Sequence, residues 1–432
     1  MHAQSASFSP WRGPFLRVWL IRACSTLGGQ VLAFALTLRL YEASGSALDL
    51  GLIGLVQFLP SLALAIPAGQ LVDRFAPARV AACVQSMNAL AAATLLVAVL
   101  FMPAVPEGSL TMLLFAAALA TGATRAFEHP VNTALLPSVV PDHYVARAVA
   151  WTTSIAKMAT LVGPILGGVL YALSPAVDYG VACTLFLFAI FAARSVPAVV
   201  RPADAPPLDL KSAFAGFSII WRDRVLGGAM VLDMVAVLLG GATALLPVFA
   251  KEVLHVGAAE LGMLRAAPAV GAVLTGLWLA RRPVERHAGR ALIVTTMIFG
   301  MLTCGFGLTQ SFIPACALLC GIGAADMISI HIRSALVQLR TPPDLRGRVG
   351  AVNGLFISSS NQIGAFESGV TAYWLGLVPA ILLGGGATIA ATLAIARVFA
   401  PLRQVDRLAA MPDKVRPANV PAASTIGATP LA

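Results

Sequence analysis

Eight ionisable side chains stand inside otherwise apolar stretches of this 432-residue chain: Arg125, Glu128, Lys157, Asp233, Arg265, Asp326, Arg333 and Glu367. A charge midway along a membrane-crossing helix costs about 2.5–3.5 kcal/mol on insertion scales, so each needs a partner, a watery cavity or a task. Four are basic and four acidic, so they can neutralise one another. Their chemistry is that of ion pairs that form and break and of carboxylates that exchange protons. Burial disfavours a charged carboxylate and a neighbouring base favours it, so balance between the two suits a proton carrier. The proton-coupling candidates are Glu128, Asp326 and Asp233, with Glu128 first because Arg125 lies one helical turn away.

Spacing groups these residues. Arg125, Glu128, His129 and Asn132 fall at i, i+3, i+4 and i+7, one stripe of a helix. Asp326, Ser329 and Arg333 form a second stripe, and Ser154, Lys157 and Thr160 a third. The expected cavity lining is Arg125, His129, Asn132, Lys157, Arg265 and Glu367 beside the three acids. The competing reading for every charge is a structural ion pair between helices, and it is favoured for Arg333, near the end of its helix. His129 and His331 have the chemistry of proton relays, although a lone intramembrane histidine is more often a hydrogen-bonding partner.

Other chemistries lack their motifs. Gly-Lys never occurs, which removes the P-loop, and neither His-Glu-x-x-His nor Gly-x-Ser-x-Gly is present. An enzyme is not expected. The six cysteines (Cys24, Cys83, Cys183, Cys304, Cys316 and Cys320) all lie in apolar runs and read as small core residues. Cys316 and Cys320 share a helix face, but no histidine or further cysteine completes a metal set. No metal and no cofactor is expected.

The elements that position these charges follow from composition. Hydrophobic residues make up 58% of the chain and charged residues 11%, against roughly 25% charged in soluble domains. Such a chain cannot cover its surface in water; lipid is the solvent that suits it. Lipid leaves every backbone polar group to be paired internally, so only helices or closed barrels span it. The strand-like alternation of a barrel is missing, and runs such as Leu110–Ala120 and Val378–Ala396 are continuously apolar. Twelve such stretches, from 17–40 to 377–398, predict an all-α membrane protein with twelve transmembrane helices. The seventh is expected over 225–249 and the eleventh over 349–374. The N-terminus lacks the order of a cleaved signal, so the first span is expected to be an uncleaved anchor.

Basic residues orient the spans. Of the 29 lysines and arginines, four are intramembrane, and only Arg39 and Lys251 fall on the side opposite the termini, which leaves 23 on the terminal side. Both termini are therefore expected to be cytoplasmic. The net charge of +10 is an insertion signal rather than a nucleic-acid footprint, and no nucleic acid is expected as a partner.

The chain also repeats itself. Gly122 and Gly323 are 201 residues apart, as are Ala134 and Ala335, Leu135 and Leu336, Pro141 and Pro342, Arg147 and Arg348, Gly163 and Gly364, and Gly168 and Gly369. Such duplication characterises secondary transporters. It predicts two pseudo-symmetric six-helix bundles over 1–200 and 225–400. Between them, 201–224 is a cytoplasmic linker in which Leu210, Phe214, Phe217 and Trp221 predict an amphipathic helix. Residues 401–432 are expected to form a disordered cytoplasmic tail.

With these residues on the page, the chain resembles the major facilitator superfamily over residues 15–400. Gly69-Gln-Leu-Val-Asp73-Arg74-Phe-Ala-Pro-Ala-Arg79 resembles that superfamily's signature loop, with Ala76 and Pro77 where Gly and Arg are usual. The matching loop of the second half, Gly276 to Arg282, keeps the bases and lacks the acid. Gly163-Pro164-Ile-Leu-Gly167-Gly168 resembles the superfamily's antiporter motif, and Arg125 resembles the arginine of its second motif without the glycine expected after it. Gly241–Ala272 and Arg346–Gly369 look most like the enterobactin-exporter branch. The resemblance implies the major facilitator fold, with the third, sixth, ninth and twelfth helices outermost; these carry no interior charge. It implies a conformational-switch loop at Gly69, Asp73, Arg74 and Arg79. It also implies a multi-pass, monomeric secondary transporter of the plasma (inner) membrane. The expected function is proton-coupled export (antiport) of a small organic molecule such as a drug, siderophore or metabolite by alternating access. An importer or uniporter on the same fold is the alternative, and a membrane enzyme or sensor the remote one. The expected partners are that small molecule, protons and the lipid bilayer.

Overall fold

The computed structural model describes residues 13–101, 107–197, 220–221, 223–282, 284, 286–341 and 346–406. Of the tail expected over 401–432, residues 401–406 are described, 401–403 ending the short helix Ala400–Arg403 with Leu402 buried; the rest lies outside the described residues, as does the expected amphipathic helix apart from Ile220 and Trp221.

Twelve long helices run through the described residues. The first six are α1 (Pro14–Ser44), α2 (Ala47–Arg74), α3 (Pro77–Phe101), α4 (Glu107–Leu135), α5 (Asp142–Leu173) and α6 (Pro175–Arg194). The second six are α7 (Arg224–Leu239), α8 (Ala258–Arg281), α9 (Ala288–Leu308), α10 (Phe312–Arg340), α11 (Arg346–Leu375) and α12 (Leu377–Val398). Local signals start several of them. Pro175 opens α6 behind Ser174, whose hydroxyl accepts from the Ala176 N–H at 3.2 Å. The Asp223 carboxylate caps α7 by accepting from the Val225 N–H at 2.8 Å.

The seventh span departs from the single helix expected over 225–249. α7 stops at Leu239, a 3-10 turn follows at Ala242–Leu245, and a short helix, Leu246–Glu252, completes the crossing. Gly240 and Gly241 sit at the break. A Cβ on Gly241 would stand 2.6 Å from Ser368 Oγ and 2.8 Å from the Gly364 carbonyl, so α11 passes too close for any larger residue. Eleven of the described segments are long and apolar enough to cross a membrane. α11, of 30 residues, falls outside that set because it carries Asn353, three serines at 358–360, Asn361, Gln362 and Glu367.

The repeat is visible as contacts. Gly122 of α4 meets the Gln57 backbone of α2, and Gly323 of α10 meets the Pro268 backbone of α8. Gly163 of α5 faces Gln30 of α1, and Gly364 of α11 faces Val237 and Leu238 of α7. Gly168 of α5 packs on Ala258 and Gly262 of α8, and Gly369 of α11 on Ala47 and Gly51 of α2. Each repeat-related pair of glycines performs the same close approach, the first two pairs within their own half and the third across to the other. A different spacing relates α2 to α8: Ala47 and Ala258 are 211 residues apart, as are Gly51 and Gly262.

Cores divide the molecule lengthwise. One apolar cluster joins both halves, running from Val31–Leu40 of α1 through Tyr171 and Phe186 to Phe249, Leu264 and Phe306. This is the end bearing Arg39 and Lys251. At the other, basic end the core is split: Phe15, Val72, Leu135 and Ala192 cluster in the first half. Leu226, Leu292, Leu336 and Leu402 cluster separately in the second. The halves are thus fused at one end and hold separate cores at the other.

Candidate functional site

α4 presents the expected stripe, with Arg125, Glu128 and His129 exposed although they stand well inside a span. Pro130 cannot donate to the helix ladder. One turn on, Asn132 donates from Nδ2 to the Glu128 carbonyl at 2.5 Å. Two cavities flank this stripe. A polar one of about 300 Å³ lies within the N-terminal bundle, with Arg125, Glu128, Thr121 and Thr124 of α4 on its wall. Gln30 of α1, Gln57 of α2, Asn88 of α3 and Phe186 of α6 complete it. Thr124 donates to Asn88 Oδ1 at 2.7 Å, and Asn88 donates to Gln85 Oε1 at 3.4 Å. The other, of about 410 Å³, lies toward the basic end and brings together Arg22, His129, Asn132 and Lys157 from α1, α4 and α5.

The second half treats its charges differently. Asp233 of α7 and Arg333 of α10 form an ion pair, both almost fully buried. Near the basic end Arg340 Nη1 contacts both oxygens of Asp223, at 2.9 and 2.7 Å. Glu367 accepts from Thr371 Oγ1 at 2.9 Å on its own helix. Arg265 places its guanidinium 5.5 Å from the Phe34 ring centre, across the two halves. Asp326 is half-buried, and the charge that acts on it is Lys157 of the opposite half.

The motif residues also have defined surroundings. Gly163 and Gly167 of α5 face Gln30 and Phe34 of α1, while Gly168 and the Pro164 carbonyl face Gly262 of α8. This six-residue run is therefore a two-sided packing strip, one side within its own half and one across to the other. At the end of α2, Gly69 is buried, and Asp73, Arg74 and, beyond the turn, Arg79 are exposed. The side chains of Arg346 and Arg348 lie outside the described residues.

Three groups of residues escaped a search for mid-span charges. One clamps the fused end: the Tyr41 hydroxyl donates to Glu252 of the other half, and the Lys251 ammonium lies 5.6 Å from the Tyr41 ring centre. Beside it Glu42 accepts from Tyr171 at 2.6 Å and pairs with Arg39 at 3.4 Å. The i, i+3 spacing of Arg39 and Glu42 was the available signal. The second is Asp178, wholly buried in the first turn of α6, where a helix N-terminus favours an acidic side chain. The third is the set of neutral amides Gln30, Gln57 and Asn88, which a search for ionisable residues passes over.

Two pseudo-symmetric six-helix bundles, joined at one end around an interior of charged and amide side chains, define the class of polytopic secondary transporters. The chain belongs to the Major Facilitator Superfamily, matching it over residues 18–366. It is similar to macrolide efflux protein A of Streptococcus pyogenes, 24% identical over 390 residues that cover 88% of this chain and 94% of that protein. It is also similar to the enterobactin exporter EntS of Citrobacter koseri, 26% identical over 288 residues, 65% of this chain and 68% of that one. Among solved structures, a bacterial homolog of the human lysosomal transporter Spinster, inward-facing and unoccupied, shares the fold with a TM-score of 0.64. It is 15% identical, over 90% of this chain and 95% of that one.

Proposed function

We propose that this protein exports a small organic molecule across the plasma (inner) membrane in exchange for protons, by alternating access. The observation that carries the reading is the division of the core, continuous across the halves at one end and separate at the other. That is the packing of one of two alternating states, with the charged stripe of α4 exposed between the ends. Efflux is the direction supported by the two similar proteins and by the Gly163–Gly168 strip.

Glu128 is the group assigned to carry the proton. It is exposed to the interior and one turn from Arg125, so a base is at hand to stabilise its charged form. Proton binding cancels that charge and removes its attraction for a neighbouring base, which shifts the balance between packings of the two halves. Asp326 is the second candidate, because Lys157 acts on it from the opposite half. Asp233, bound to Arg333, is the third. In purified protein in liposomes under an imposed pH gradient, Glu128→Gln is expected to lose uphill transport and to keep exchange down a substrate gradient. Full uphill transport by Glu128→Gln removes it from the role; loss of both modes assigns it to a structural pair with Arg125.

The basic end is placed in the cytoplasm, so this structure is the inward-open state. A single cysteine introduced in the 340–348 loop is expected to resist an impermeant thiol reagent in intact cells and to react in inside-out vesicles. Labelling in intact cells reverses the orientation and with it the direction.

A further inference from the structure

The two halves share a scaffold but not what fills it. By the 201-residue repeat, Thr121 and Thr124 of α4 correspond to Ile322 and Ala325 of α10, both buried at about 5% exposure. Gln57, whose backbone receives Gly122, corresponds to Pro268, whose backbone receives Gly323. The fold is therefore satisfied by apolar side chains at all three positions. In the N-terminal half the same positions carry two hydroxyls and an amide around a cavity of about 300 Å³. Polar groups in place of apolar ones destabilise a core unless they are paired. Asn88 and Thr124 pair with each other. Gln30, Gln57, Arg125 and Glu128 have no hydrogen-bond or ion-pair partner among the described residues. Four polar side chains without a protein partner around one cavity point to a ligand rather than packing.

Their types select its chemistry. Each amide offers a donor and an acceptor side by side, and a ring bearing several hydroxyls uses both at every position. A simple carboxylate or ammonium would engage Arg125 or Glu128 and leave the amides unused. Those two charges cancel, so the cavity as a whole favours no ion. The volume lies at the low end for ligand sites, which suits a hexose-sized group rather than an entire drug. We infer that the N-terminal bundle holds a subsite for a neutral, hydroxyl-rich ring, such as the glycosyl portion of a larger substrate. The inference rests on the reading of the protein as a small-molecule transporter, and it adds the substrate class and the half that recognises it.

The test is equilibrium dialysis with full-length protein in lipid nanodiscs free of sugar detergents. The probes are p-nitrophenyl β-glucoside, p-nitrophenol and p-nitrophenethylamine. Saturable binding of the glucoside is expected, with p-nitrophenol at least tenfold weaker. Gln30→Leu and Gln57→Leu, close in size and unable to hydrogen-bond, should each raise the glucoside Kd at least tenfold. Thr121→Val should raise it less. The melting temperature of Gln57→Leu should hold or rise, as its counterpart Pro268 in the second half implies, which separates lost binding from lost folding. Glucoside binding unchanged in both leucine variants, or no stronger than that of p-nitrophenol, overturns the inference. So does preferential binding of the amine that Glu128→Gln abolishes. No pH gradient enters the measurement, so failed proton coupling leaves its outcome standing, and absent glucoside binding leaves the export reading standing.

Discussion

On α4 the N-terminal half keeps Arg125 and Glu128 open, whereas the C-terminal half closes Arg333 against Asp233 and Arg340 against Asp223. The scaffolds match at the contacts of Gly122 and Gly323, Gly163 and Gly364, and Gly168 and Gly369, so the difference is not one of fold. Two copies of one helical frame have been filled differently: one as a chemical surface, the other as a braced support. Where positions match, as Thr124 does with Ala325 and Glu128 with Ser329, the charge or hydroxyl of one half is unnecessary to the architecture of the other.

The comparison breaks most visibly at its buried pair. Arg333→Leu leaves Asp233 charged and alone in an apolar setting, an expected loss of roughly 3–5 kcal/mol. Arg125→Leu, at an exposed site, is expected to change stability by no more than about 0.5 kcal/mol. Thermal unfolding of both variants in nanodiscs reads the contrast, and Asp233→Leu combined with Arg333→Leu should recover most of the loss. Equal destabilisation by the two single variants would end the distinction between braced and open halves.

The next effect tests where the halves are alike. Gly168→Val and Gly369→Val each place a side chain where a Cβ alone would stand 2.5 Å from the Ala258 carbonyl and 2.8 Å from the Ala47 carbonyl, respectively. Overpacking of about 1–3 kcal/mol at either site should favour parting of the fused end. Spin-label distances between α5 and α8, and between α2 and α11, should lengthen to a similar extent in both variants. A large response in only one would show that the two interfaces, though equivalent in contact, do not share the load.

The smallest effect lies at the loop after α2, where the first half has Asp73 and the second has only Arg281 and Arg282. Asp73 is exposed, so its contribution at a helix end is about 0.3–1 kcal/mol. Asp73→Asn is expected to slow turnover by about two- to fivefold at equal expression. Unchanged transport would leave Asp73 with a part in insertion alone.

The amino-acid sequence by itself determined the solvent, the helical class, the twelve crossings and the duplication. Each of these follows from composition, period or spacing, which are properties of the chain read in order. It also marked Arg125, Glu128 and Asp326 as out of place in an apolar setting, because the cost of such a charge does not depend on its neighbours' identity. Only the tertiary structure decided which charges find each other. Asp233 and Arg333 are a hundred residues apart, and their meeting depends on how α7 and α10 are rotated about their axes. The close approach at the break after Leu239 was equally out of reach, since what excludes a side chain at Gly241 is the passage of α11 at Gly364 and Ser368. Gln30, Gln57 and Asn88 looked unremarkable on three separate helices, because neutral amides raise no alarm until packing gathers them round one cavity. Periodicity places a residue on a face of its helix; which face looks inward, and at what, is settled only when the helices pack.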